Sequence, residues 1–229
     1  MPKWLIILII TTLLVAGALL SRHFLMPWDN PNPDRALLDA LHTGNLAKFQ
    51  RLLAKGANPN AHLPDKHGVI CDATEPGKEA FLKAVIAHGG NVNLYTDVSS
   101  IFATPLNCAI SHENSRAFHT LLDHGADLNL PGCPTCSSGS ERRPLDVAAS
   151  LDNWDMVLEI LKRFEKAGGL PRDQVEGVIH DIENFSLGEG GTAYPQRERV
   201  IAYLRARGYA VGPAATYHRH PSAPTRGQP

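Results

Sequence analysis

Three glycine-centred endings recur along the chain and set what it can fold into. Ala54-Lys55-Gly56-Ala57-Asn58-Pro59-Asn60 returns as Ala87-His88-Gly89-Gly90-Asn91-Val92-Asn93, then as Asp123-His124-Gly125-Ala126-Asp127-Leu128-Asn129. Counting back 21 positions from each glycine gives Arg35, Gly68 and Thr104, and a fourth copy opens at Arg143. The starts are spaced by 33, 36 and 39 residues. Self-similarity at a period of about 20–50 residues marks a stack of units, none of which can bury its apolar face alone. A constant core with lengthening joints predicts two packed helices per unit, linked by growing loops.

The apolar spacing within each copy agrees. In the third, Leu106, Ala109 and Ile110 fall at i, i+3, i+4 on a short first helix, and Ala117, Phe118, Leu121 and Leu122 form the stripe of a second. Thr104-Pro105 suits a helix start, because the hydroxyl can cap free N–H groups and proline is tolerated at the first helical position. Each closing glycine follows the second helix, where a left-handed residue is needed.

Thr104-Pro105-Leu106-Asn107-Cys108-Ala109 is similar to the Thr-Pro-Leu-His-x-Ala signature of ankyrin repeats, and Pro144-Leu145-Asp146-Val147-Ala148-Ala149 follows the same pattern. On these motifs the chain resembles the ankyrin-repeat family. The resemblance implies an all-α solenoid of about four to five helix–turn–helix units over residues 35–209, with repeats starting near 35, 68, 104 and 143. It also implies binding through finger loops and the concave face of the inner helices. The copies depart from the family in places. The motif histidine is replaced by Leu38, Cys71, Asn107 and Asp146, which puts its usual hydrogen bond in doubt. The fourth copy has Phe164 where the glycine should be and runs on to Gly168-Gly169, which predicts a longer second helix. A degenerate cap is expected over 171–209, with helices from Asp173 to Phe185 and from Gln196 to Arg207. In the second of these, Val200, Ile201 and Leu204 face inward and Arg197, Arg199, Arg205 and Arg207 face water.

The two ends differ from the middle. Trp4 to Leu20 is an uncharged, largely apolar run of 17 residues, at the lower edge of the roughly 17–25 needed to span a bilayer. Residues 1–26 therefore read as a signal anchor or transmembrane helix; the alternative is a signal peptide cut near Ala18, with release to the periplasm. Lys3 and the amino terminus favour a cytoplasmic start, which places the repeats in the periplasm or an equivalent space. Residues 27–34 read as a proline-rich spacer, and 210–229, rich in Pro, Ala, Gly and His, as a disordered tail.

The 229 residues carry a formal net charge of −1 and no long Lys/Arg run, which argues against nucleic acid as a partner. No nucleophile elbow, His-Glu-x-x-His or dinucleotide fingerprint is present. The expectation is a non-enzyme without cofactor, metal or small-molecule substrate. Cys133-Pro134-Thr135-Cys136 sits in the third finger and reads as a local disulfide of an oxidising compartment, with free thiols and redox or metal chemistry as alternatives. Cys71 and Cys108 fall at neighbouring inner-helix positions; buried free thiols are expected there, and a cross-repeat bridge is the alternative. The predicted partner is another protein, contacted through Tyr95, Asp97, Ile101 and Phe102 in the second finger, where aromatic and apolar anchors suit an interface. Two other functions fit the same residues. One is an immunity or inhibitor protein against a secreted toxin, and the other a thiol-redox role through Cys133 and Cys136.

Overall fold

A computed structural model describes residues 32–62, 68–95, 103–132, 142–184 and 194–212. Their regular elements are α-helices, apart from one isolated antiparallel bridge between His62 and Gly68. The helices come in consecutive pairs: α1 (Pro33–His42) with α2 (Leu46–Ala54), α3 (Val69–Asp72) with α4 (Glu79–Ala87), and α5 (Pro105–Ser111) with α6 (Ser115–Asp123). Then follow α7 (Pro144–Ser150) with α8 (Trp154–Ala167), and α9 (Arg172–Asn184) with α10 (Tyr194–Arg205). Odd-numbered helices pack on one another in order, α1 on α3, α3 on α5, α5 on α7 and α7 on α9. A second layer is built by α2 on α4, α4 on α6, and α8 on α10.

Local chemistry explains where the helices begin and end. Asn32 accepts from the N–H groups of Asp34 and Arg35, and Pro33 occupies the first turn. The first helix thus starts inside the segment expected to be spacer, because the Asn-Pro pair is itself a start signal. Thr104 caps α5 by accepting from the N–H of Asn107. The second helices of the first, third and fourth pairs are capped by Asn45, Asn114 and Asn153. Gly56, Gly89 and Gly125, with φ of 90°, 86° and 86°, take the left-handed positions that end the second helices. In the fourth pair that helix is 14 residues long, against 9 in each of the first three.

Between the layers lies one continuous core, running from Leu37, Leu41 and Phe49 through Ile70, Leu82, Leu106 and Phe118 to Leu161, Val178 and Leu204. Val200, Ile201 and Leu204 are buried as expected. Of the four cap arginines, Arg199, Arg205 and Arg207 are exposed as expected, and Arg197 is the correction. Arg197 is only 1% exposed, and its long side chain is built into the core edge. Arg207 lies 3.5 Å over the Tyr203 ring and donates two bonds of 2.7 Å to Glu165. Tyr203 donates to the same carboxylate, and burial with that bond pushes its hydroxyl up to about 12. These contacts fasten α10 to α8.

The cysteines supply a second correction. Cys71 in α3 and Cys108 in α5 form a disulfide, their Cα atoms 5.6 Å apart. Stacking brings equivalent inner-helix positions of adjacent pairs side by side, so two small thiols one unit apart fall within bonding reach. Among the described residues no helix is long and apolar enough to cross a membrane; Trp4 to Leu20 lies outside them.

Candidate interaction surface

The glycine-centred endings do more than close helices. Asn60 accepts from the N–H of Asn91 (2.7 Å) through its Oδ1 and directs its Nδ2 at the Gly89 carbonyl. Asn93 repeats this one unit later, accepting from the N–H of Asp127 (2.8 Å) and donating to the Gly125 carbonyl (3.0 Å). Asn129 continues the series by accepting from Gln174 Nε2. Within each ending the first Asx side chain turns the backbone, Asn58 accepting from Asn60, Asn91 from Asn93 and Asp127 from Asn129. A polar ladder therefore runs along the edge from which the between-pair connections leave.

Those connections hold the predicted binding residues. The first is closed at its base by the Val69 N–H donating to the Ala61 carbonyl, and the third by the Gly132 N–H donating to the Arg142 carbonyl. Tyr95 is half-buried at the start of the second. Asp97, Ile101, Phe102, Cys133 and Cys136 lie outside the described residues.

The opposite edge, where each first helix turns into its second, carries a surface that the residue patterns did not single out. The tight turns hold one left-handed residue each: Gly44 (φ 69°), Gly77 (84°), Glu113 (51°) and Asp152 (56°). In the first two pairs the position is glycine, the residue that takes positive φ at least cost. In the third and fourth it is a carboxylate, held at a cost of about 1–2 kcal/mol. The signal was available by aligning Thr43-Gly44-Asn45 with His112-Glu113-Asn114 and Leu151-Asp152-Asn153.

Glu113 and Asp152 face a groove of about 350 Å³, completed by Ser115, Leu151, Asn153, Trp154, Asp155 and Gln196. Leu151, 42% exposed, is the exposed large apolar side chain among the described residues. Asp155 is paired with Arg199 at 3.0 Å, whereas Glu113 and Asp152 have no ion-pair partner among the described residues. Trp154 is 2% exposed, and among the described residues its buried indole Nε1–H meets no acceptor and the buried Gln196 Oε1 meets no donor. Beyond Ser115 a second groove of about 480 Å³ is lined by Glu79, Lys83, Arg116, His119 and Thr120. Glu79 lies below the usual carboxylate range, chiefly through backbone N–H bonding, with Asn114 and Arg116 adding to it.

On the same turn edge, His42 Nε2 lies 2.9 Å from Asp72, and His112 Nδ1 lies 2.9 Å from the Thr74 hydroxyl. Asn114 donates to the Thr74 carbonyl. These bonds join neighbouring pairs. Of the four residues standing in for the motif histidine, Asn107 donates across to the Arg142 carbonyl and Asp146 accepts from the Arg143 N–H. Cys71 forms its disulfide instead.

No family model and no curated protein matches this sequence.

Proposed function

We propose that this chain is a membrane-tethered ankyrin-repeat module that binds another protein in the periplasm or an equivalent extracytoplasmic space. The Thr-Pro-Leu motif and the glycine-centred endings support the family reading, and the two-layer stack of helix pairs accords with it. The compartment rests on one observation above others, the Cys71–Cys108 disulfide between adjacent pairs. Disulfides persist in oxidising spaces and are rare in the cytosol. A tether at residues 1–26 followed by a bridged stack is consistent with an anchor that leaves its repeats outside. Binding is assigned to the connection edge, with Tyr95, Asp97, Ile101 and Phe102 as anchors and rim.

In-cell photo-crosslinking with photoreactive residues at Tyr95 and at Phe102 tests this. A specific protein recovered from either position is the expected result, and recovery of none from both sinks the connection-edge interface. When those cells are lysed into denaturant containing an alkylating agent, Cys71 and Cys108 should stay unlabelled unless a reductant is added first; labelling without reductant would overturn the compartment.

A further inference from the structure

Helix α2 carries a face of one sign that nothing among the described residues neutralises. Lys48, Arg51 and Lys55 fall at i, i+3 and i+7, which brings them to one side of the helix and its C-cap. All three are exposed, and none has an ion-pair partner among the described residues. No Asp or Glu lies between Asp39 and Asp65. The other second helices differ. In α4, α6 and α8 acidic and basic residues are equal in number. The basic excess of α10 is taken up within the fold: Arg197 is buried, Arg199 pairs with Asp155, and Arg205 donates to the Val211 carbonyl.

The same helix belongs to the pair nearest the apolar run. That run ends at Leu20 and α1 begins at Pro33, so the chain between them spans at most about 40 Å. An anchor at residues 1–26 holds the first pair within that reach of the headgroups, at a local concentration that no free protein has. Three charges are few for holding a soluble protein at a bilayer; for a tethered one they decide which side turns toward it. Headgroup phosphates need no pocket, only a row of cations with no acid among them. We propose that the Lys48, Arg51 and Lys55 face of α2 rests on anionic phospholipid headgroups beside the chain's own anchor. This rests on reading residues 1–26 as a membrane anchor. An acidic protein is the competing occupant.

The test uses the full-length protein with a photoreactive residue at Ala47, exposed in the first turn of α2. It is reconstituted into vesicles of phosphatidylcholine alone or of phosphatidylcholine with phosphatidylglycerol. Lipid adducts should be about fivefold or more abundant in the anionic vesicles, and high salt should remove the difference. A photoreactive residue at Glu176, exposed in α9, gives the background. Lys48→Gln with Arg51→Gln and Lys55→Gln should abolish the excess, whereas Lys48→Arg with Lys55→Arg should retain it. Equal adducts in the two lipids, or an undiminished excess in the glutamine variant, would overturn the proposal. If that variant loses its helical circular dichroism, the lipid comparison in the parent protein carries the test. In isolated cell membranes lipid adducts are again expected, and an acidic protein captured at Ala47 in their place would overturn the assignment. Flotation with the phosphatidylcholine vesicles reports the anchor by itself. A protein that floats but ignores lipid charge loses only this inference; one that does not float loses the anchor as well.

Discussion

Glu113 and Asp152 set local backbone cost against surface chemistry. Glu113→Gly relieves the left-handed strain but adds glycine's entropy in the unfolded chain, leaving a net gain of about 0.5–1 kcal/mol. Chemical denaturation should show Glu113→Gly more stable than the parent. A loss of stability would mean that the turn is not under strain. Asp146 makes a different case. Burial, reinforced by Asp181, pushes its carboxyl above the ordinary 3.8, although the Arg143 N–H and the Arg143 and Arg142 charges pull the other way. A raised folded value means that the charged form is disfavoured in the fold. The penalty is absent below the ordinary aspartate range and grows as pH rises through the folded value. Asp146→Asn keeps an oxygen for the Arg143 N–H and removes the charge. Its melting temperature should exceed the parent's at neutral pH, with the difference vanishing at pH below about 4. Glu79, Glu165 and Asp173 lie below their ordinary values, so their contributions fade as pH falls. Both proteins weaken in acid, and the difference between them is the readout.

At the scale of elements, the short α3 depends on its neighbours. Four residues cannot hold a helix by themselves. Val69, Ile70 and Cys71 are buried against the adjoining pairs, and the disulfide fixes α3 to α5. The bridge closes a span of 37 residues, for which loop entropy gives about 3–4 kcal/mol of stabilisation. Cys71→Ala with Cys108→Ala should lower the unfolding free energy by roughly that amount in denaturant titration. Because both sulfurs are buried, reductant should act on the parent protein only as it opens. A double variant as stable as the parent would show that the α3–α5 contact needs no cross-link.

Across the whole molecule, the asparagine ladder couples units that also meet through apolar faces, the Cys71–Cys108 bridge and the histidine and Thr74 bonds. Asn93 both accepts from and donates to the next ending. Asn93→Ala should cost about 1–2 kcal/mol, and unfolding should become less cooperative because stability in a stack depends on nearest-neighbour terms. A broadened thermal transition would report this; an unchanged one would mean that the other contacts between pairs carry the coupling. Glu165, Tyr203 and Arg207 hold the terminal pair by a similar polar route.

The sequence by itself determined the period, the pairing of helices and the apolar stripes, since these follow from spacing along one chain. It also located the long α8, the left-handed glycines and the capping Thr104, because helix ends are written in a few adjacent residues. Tertiary structure alone decided what lies one unit away. The Cys71–Cys108 bond, the asparagine ladder and the burial of Arg197 depend on the register between pairs, and connections of variable length hide that register from any local pattern. The turn-edge groove is the same kind of feature. Glu113, Asp152 and Gln196 are far apart in the chain, and only stacking, which aligns every turn on one edge, brings them to one surface.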